Sequence, residues 1–189
     1  EQILDKLKDL ARLRNLLFEK GKPLEYAILD ALRIIGFSVT QYDDGESEFD
    51  AVFESQEGRL IGEIEGKDNK AINIDKLRQL ALNIHEDLER EEVEIPAKAV
   101  LFGNAYRLLP VEERTDPFTT KCVTAASTSS PALVFTPDLF LVAKYLRDRP
   151  DKNYATKCRK AILDSIGRVH FPSIPKQKTL QIAVDSIDS

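Results

Sequence analysis

Apolar residues recur along the chain with two alternating periods. Steps of three and four residues predict amphipathic helices, whereas strict alternation or a short apolar run predicts strands. Turns rich in glycine, proline and aspartate separate the two kinds of segment. Predicted helices cover residues 2–19, 24–35, 74–88, 118–128, 139–147 and 154–166. Predicted strands cover residues 37–42, 48–53, 60–67, 97–104, 132–136 and 167–172.

The connections between these elements predict an α/β fold. Strands 37–42, 48–53 and 60–67 are joined by polar turns, which is typical of an antiparallel meander. The helix at 74–88 then separates the third strand from the apolar strand 97–104. A covering helix between two strands is typical of a crossover that makes them parallel. We therefore expect a mixed sheet flanked by helices.

The length of 189 residues fits one domain with additional segments at its ends. We divide the chain into an N-terminal helical arm at 1–22, a central domain at 23–148, and a C-terminal helix and tail at 149–189. Because the chain begins at Glu1 and contains no methionine, we expect an excerpt of a longer protein. An upstream domain, a partner protein and a homodimer are left open as partners.

Composition excludes two classes of protein. Hydrophobic residues make up 42% and charged residues 31% of the chain, which is typical of a folded domain and too apolar for disorder. No apolar run approaches the about 20 residues that span a bilayer, so we expect no membrane partner. Cys122 and Cys158 lack metal-ligand spacing and are expected to be buried thiols in a reducing compartment. The sequence thus predicts a soluble, cytoplasmic protein.

The net charge of −5 means that bulk electrostatics will not attract nucleic acid. Such a partner would depend on local basic residues, or on metal ions that neutralise acidic ones. Arg107 and Arg114, in the polar loop 104–116, are candidates for holding phosphates. The alternative is that both are exposed loop arginines that only favour solubility.

The stretch 60–67 concentrates charge on one face of a strand. Successive strand residues point to opposite faces, so Glu63, Glu65 and Lys67 share one face. Carboxylates bind Mg²⁺, and a nearby ammonium offsets charge on a phosphate, which suits phosphodiester hydrolysis. Asp50, in the preceding strand, would face the same cleft. The alternative is a solvated edge strand with alternating charge.

A fourth carboxylate, Glu25, lies on the flank of the apolar stripe of helix 24–35. From there it could reach over the sheet edge toward a metal. The alternative is that a glutamate in the first turn after a proline only stabilises the helix dipole.

The order of these signals resembles the PD-(D/E)XK nuclease superfamily. A helix with a glutamate is followed by a strand, a strand with an aspartate, a strand with Glu-x-Lys, a helix and a strand. The superfamily has a restriction-endonuclease-like core of order αβββαβ, and the sequence is most similar to its Mrr-like and RecB-like branches. The resemblance covers about residues 24–146.

The resemblance implies a role for each residue of the motif. Asp50 and Glu65 would ligate Mg²⁺, for which Mn²⁺ can substitute, and the carbonyl of Gly66 would add a ligand. Lys67 would orient or stabilise the attacking water, and Glu25 would be an auxiliary, water-mediated ligand. The implied activity is hydrolysis of DNA in defence, restriction or repair.

The sequence also departs from the pattern of the superfamily. Phe49, and not proline, precedes Asp50. Glu63 adds a carboxylate that faces the same way as Glu65 and could replace it as a ligand. The superfamily has a glutamine on the helix after the lysine, but Gln79 lies nearly opposite the predicted apolar stripe of helix 74–88.

Two readings other than a nuclease remain open at this point. One is a catalytically inactive nuclease-fold module that binds nucleic acid or assembles a complex, which the negative net charge favours. The other is a scaffold without a site, in which the carboxylates would diverge. Carboxylates of Asp50 and Glu65 within about 5 Å of each other, with Lys67 alongside, would argue against the scaffold.

Overall fold

The computed structural model describes residues 11–41, 51–89 and 93–176. The helices there are α1 at residues 11–18, α2 Gly21–Ile35, α3 Asp75–Leu88, α4 Thr120–Ser129, α5 Thr136–Asp148 and α6 Lys152–Asp164. The strands are β1 Ser38–Gln41, β2 Ala51–Ser55, β3 Gly58–Gly66, β4 Lys98–Asn104, β5 Ala132–Phe135 and β6 Gly167–Arg168. None of the helices within these ranges is long and apolar enough to cross a membrane.

The six strands form one mixed sheet in sequential order. Strands β1, β2 and β3 are antiparallel neighbours, which confirms the predicted meander. Strand β4 is parallel to β3, β5 is parallel to β4 and β6 is parallel to β5. The carboxyl ends of β3, β4 and β5 therefore meet at one side of the sheet, which we call the C-terminal edge.

Helices cover both faces of the sheet, because the strands alternate apolar side chains between them. Leu60 and Phe102 belong to a core that includes residues of α1, α2, α5 and α6. Their neighbours Ile61 and Leu101 point the other way, into a core shared with α3 and α4. The predicted α/β class, with a mixed sheet flanked by helices, is confirmed.

The segments outside the predicted central domain pack on the same core. Leu13 and Leu16 of α1 and Cys158 and Ile162 of α6 are buried in the core of the first sheet face. Strand β6 also extends the sheet by pairing with β5. The boundaries at 22 and 148 therefore do not separate packing units, because the apolar stripes of α1 and α6 complete the central core.

The break between α1 and α2 differs from the predicted one. The sequence 20–23 predicts that Gly21 caps the end of the first helix and that Pro23 opens the next element. Gly21 is instead the first residue of α2 and has φ of +59°. Lys20 is the N-cap residue, and the helical residues of α1 end at 18. Pro23 falls in the first turn of α2, where its missing N–H costs no helical hydrogen bond.

The buried face of α3 also differs from the predicted stripe. The predicted stripe consists of Ile74, Leu77, Ala81, Ile84 and Leu88. Two of these residues, Ala81 and Leu88, are exposed. The buried residues are Leu77, Leu80, Asn83 and Asp87. Asn83 and Asp87 tolerate burial because each is hydrogen-bonded to a side chain of β3. The acidic run 86–94 predicts a solvated helix end and loop. Asp87, which belongs to this run, is instead buried.

Both cysteines are free thiols and are buried, as predicted. Cys122 lies in the core beneath α4, and Cys158 lies in the core beneath α6. Burial raises the pKa of each thiol to about 11. Both are thus protonated at neutral pH and contribute to packing.

An ion pair joins the turn between β2 and β3 to α6. Arg159 donates from Nε to Glu57 Oε2 at 2.6 Å and from Nη2 to Glu57 Oε1 at 2.8 Å. The same guanidinium donates to the carbonyl of Ile35, at the end of α2, at 2.8 Å. The hydrogen bonds from Arg159 lower the pKa of Glu57 from 4.5 to about 2.

We expect Glu57→Gln to lower the free energy of unfolding at pH 7. A carboxyl group whose pKa is lower in the folded protein stabilises the fold above its unfolded pKa and loses that effect as the pH falls. The difference between wild type and Glu57→Gln should therefore shrink between about pH 4.5 and pH 2. Urea denaturation at several pH values tests this, with Glu86→Gln as an exposed control. A difference that stays constant down to pH 2.5 would contradict it.

Candidate active site

The face of β3 that carries the charged side chains is the face that α3 covers. Glu63 contacts Asn83 of α3, whereas a side chain at Gly66 would meet Lys20, on the other side of the sheet. Glu63, Glu65 and Lys67 thus share one face, as the alternation predicted, and we call them the ledge. The ledge ends at the C-terminal edge, the side of an open α/β sheet where ligands generally bind.

Glu65 and Lys67 form a short ion pair. Lys67 Nζ lies 2.6 Å from Glu65 Oε1, and the side chains are 33% and 17% exposed, respectively. Lys67 follows the last residue of β3, and its backbone N–H donates to the carbonyl of Asn104 at 3.0 Å. This bond to the end of β4 fixes the lysine backbone, so its ammonium is held beside the carboxylate. Glu65 and Lys67 are therefore in direct contact, whereas the scaffold reading concerns the convergence of Asp50 with Glu65 and stays a hypothesis.

Glu63 is more deeply buried than Glu65, with a side chain that is 8% exposed. Asn83 Nδ2 donates to Glu63 Oε1 at 2.9 Å, and Lys76 Nζ lies 3.4 Å from Glu63 Oε2. A buried carboxylate needs such partners, because an unpaired charge away from water is very costly. Sequence reasoning missed Lys76 and Asn83, although their spacing of seven residues places them on one face of α3.

Gln79 also points to this face of α3. Its Nε2 donates to Asn83 Oδ1 at 3.2 Å, so it is linked to Glu63 through one side chain. The side chain of Gln79 is exposed, as its position opposite the predicted stripe implied. It nevertheless borders the packed face of α3, because that face includes Asn83.

Gly66 is required by a close crossing of the chain. A Cβ at this position would collide with the Cβ of Lys20, and the carbonyl oxygen of Glu19 would be 3.3 Å away. The linker between α1 and α2 thus runs directly against the end of β3. The role of the Gly66 carbonyl oxygen as a metal ligand stays a prediction.

The structure does not bring Glu25 to the ledge. Lys22 Nζ donates to Glu25 Oε2 at 2.8 Å, within the first two turns of α2. Helix α2 packs in the core on the opposite face of the sheet from Glu63. An auxiliary role for Glu25 would have to reach around the sheet edge, and it stays a prediction.

Asp50 lies outside the described residues, one position before β2 begins. In 11–41, 51–89 and 93–176, no group of three or more His, Cys, Asp and Glu is placed to hold a metal ion. Glu63 and Glu65 offer the hard oxygen donors that suit Mg²⁺, and a third carboxylate from Asp50 would fit the same chemistry.

Arg107 and Arg114 contact the end of α1. The last four carbonyls of a helix have no partner within it, and here side chains supply all four hydrogen bonds. The oxygens of Leu16, Leu17, Phe18 and Glu19 accept from Thr136 Oγ1 at 2.6 Å, Arg114 Nη2 at 2.6 Å, Arg107 Nη1 at 2.7 Å and Asn104 Nδ2 at 2.8 Å. We call these four side chains the α1 clamp.

Both arginines make further bonds inside the protein. Arg107 Nε donates to Asp68 at 2.6 Å, and Lys20 Nζ donates to the same carboxylate at 3.0 Å. Arg114 Nη1 donates to Asn104 Oδ1 at 2.9 Å, and its Nε donates to the carbonyl of Leu109 at 3.0 Å. These contacts account for both arginines without nucleic acid, so we do not retain them as phosphate-binding residues.

We compared the chain with models of protein families, with curated proteins and with solved structures, and nothing matched it. The geometry of the ledge and the order of the elements around it are therefore the basis for assigning a function.

Proposed function

We propose that the chain is a metal-dependent nuclease of the PD-(D/E)XK type that hydrolyses phosphodiester bonds of DNA, in defence, restriction or repair. The observation that carries the proposal is the ion pair of Glu65 and Lys67, two positions apart at the end of β3, whose charged atoms are 2.6 Å apart. The order α2, β1, β2, β3, α3, β4 around it supports the restriction-endonuclease-like core that the resemblance implies.

The resemblance and the geometry of the ledge together suggest a role for each residue. Asp50 and Glu65 would hold Mg²⁺ or Mn²⁺ together with the carbonyl of Gly66. When bound, the metal makes its water more acidic and offsets the charge of the phosphate. Lys67 would place its ammonium beside the attacking oxygen, where it stabilises negative charge that develops in the transition state.

Between the two ledge carboxylates, Glu65 is the better candidate for the first ligand. It is more exposed than Glu63, at 17% against 8%, and lies nearer the C-terminal edge. Glu63 already accepts from Asn83 and is paired with Lys76. We therefore assign Glu63 a supporting role, in which its fixed charge strengthens the attraction of the site for a cation.

Cleavage of linear, nicked and single-stranded DNA with Mg²⁺, with Mn²⁺ and with EDTA tests the proposal. We expect cutting only with metal. Asp50→Asn and Glu65→Gln should each reduce the rate by at least about 10²-fold, because each removes a charged oxygen donor. Glu86→Gln, on the exposed face of α3, is the matched control. Full activity of Glu65→Gln, or no cutting of any substrate by folded wild type, would contradict the proposal.

The second candidate is an inactive nuclease-fold module that binds nucleic acid or assembles a complex. It is favoured because each ledge carboxylate is already paired with an ammonium group. Lys67 Nζ lies 2.6 Å from Glu65, and Lys76 Nζ of α3 lies 3.4 Å from Glu63. Wild type that binds DNA without metal, and that neither cuts it nor binds Mg²⁺ in calorimetry, would support this candidate over the nuclease.

A further inference from the structure

Lys67 of the ledge and Lys76 of α3 lie over the two ledge carboxylates. The side chains of Lys67 and Lys76 are each 33% exposed, whereas those of Glu65 and Glu63 beneath them are 17% and 8% exposed. A molecule that approaches from solvent therefore meets the ammonium groups more readily than the carboxylates. This arrangement favours an anionic ligand, even though the two carboxylates and the two ammonium groups together carry no net charge.

The two ammonium groups are held differently. Lys67 lies 2.6 Å from its carboxylate, which is a short charge-assisted contact. Lys76 lies 3.4 Å from Glu63, longer than the 2.7–2.9 Å that is typical of such bonds. The short bond to Glu63 comes from Asn83, at 2.9 Å. Asn83 can thus keep Glu63 in place when Lys76 moves, which leaves the ammonium donors of Lys76 for another acceptor.

Other cations near the C-terminal edge are less suited to this task. Arg107 and Arg114 support the end of α1, and Lys20 donates to Asp68 at 3.0 Å. Because the net charge is −5, the protein needs a local cation to hold a polyanion beside acidic groups. Lys76 meets this need, because it lies over the ledge with a loosely held ammonium.

We propose that Lys76 binds a backbone phosphate of the nucleic acid that lies across the ledge. This inference rests on the proposed function and adds a substrate-binding residue to it. In the unbound protein the ammonium rests near Glu63 Oε2, and on binding it donates to a phosphate oxygen. Glu63 keeps its hydrogen bond from Asn83 throughout. The buried carboxylate therefore still has a hydrogen-bond donor after Lys76 has moved to the phosphate.

The test is DNA binding by the Asp50→Asn protein, which is expected to be deficient in cleavage. Fluorescence anisotropy with a labelled duplex, measured at several salt concentrations, gives both the affinity and its dependence on salt. We expect Lys76→Met to weaken binding about tenfold, because a hydrogen bond to a charged group is lost. The slope of log affinity against log salt should become shallower by about 0.9, as for one phosphate contact. Lys157→Met, exposed on α6, is the matched control.

A second pair of variants separates phosphate binding from an indirect effect through Glu63. Without Lys76, Glu63 loses the ammonium at 3.4 Å, and its negative charge would itself repel DNA more strongly. We therefore compare Lys76→Met with and without Glu63→Gln. If Lys76 holds a phosphate, the loss of affinity persists when residue 63 is neutral, and Lys76→Arg retains binding. If the loss disappears in the Glu63→Gln background, the inference is overturned.

The outcomes also distinguish this inference from the proposed function. If wild type cuts DNA but Lys76→Met leaves the affinity and the salt slope unchanged, the inference fails and the nuclease assignment stands. If the protein neither binds nor cuts DNA, both are overturned.

Discussion

Lys67→Met is expected to lower the single-turnover rate of metal-dependent DNA cleavage by about 10²–10³-fold, the usual cost of removing one charge-stabilising donor. Methionine keeps an unbranched side chain of similar reach, so the packing around the end of β3 should change little. The ammonium that lies 2.6 Å from Glu65 is lost. Rates measured with enzyme in excess over labelled DNA, with Lys157→Met as control, test this expectation.

The same variant should have the opposite effect on metal affinity from Glu65→Gln. The ammonium of Lys67 competes with a divalent cation for the carboxylate of Glu65, so its removal should lower the Mg²⁺ concentration needed for half-maximal binding. Glu65→Gln removes the ligand and should raise that concentration. A Lys67→Met protein that retains the full cleavage rate would remove this lysine from the mechanism.

Arg114→Met is expected to lower the free energy of unfolding by about 2–4 kcal/mol, because several acceptors, most of them partly buried, lose their donor. The guanidinium bonds the carbonyls of Leu17, Leu109 and Arg107 and the side chain of Asn104. Burial lowers the pKa of Arg114, which agrees with its position inside the α1 clamp.

Urea denaturation at neutral pH measures this effect. Arg78→Met is the control, since that side chain is 77% exposed and its nearest carboxylate is 3.9 Å away. The control should change the free energy of unfolding by less than about 0.5 kcal/mol. An Arg114→Met protein as stable as the control would show that the clamp does not stabilise the end of α1.

The order of the helices and strands was predictable because it depends on local periodicity. Apolar alternation marked β1 to β5, and the meander and the parallel crossover followed from the connecting segments. The contact of Glu65 with Lys67 was also predictable, since residues two apart on a strand face the same way. These features need no information from distant parts of the chain.

The surroundings of the ledge were not predictable in the same way. Asn83 is buried because it bonds Glu63, and a hydrophobic pattern cannot show that a polar residue finds a partner 20 residues away. Arg114 looked like a solvent-exposed loop residue because its acceptor at Leu17 is 97 positions earlier. Pairing decides whether a polar side chain belongs inside, and pairing is a property of the folded chain.

The α1 clamp also sets the order in which parts of this protein can assemble during synthesis. Its four bonds join residues that are 120, 97, 89 and 85 positions apart. At 5–20 residues per second, Thr136 is added about 6–24 s after Leu16. A nascent chain that ends before residue 136 contains every residue of the ledge, yet the helix end beside it lacks its full set of donors. We therefore expect the site to reach its final form only after the ribosome has added Thr136.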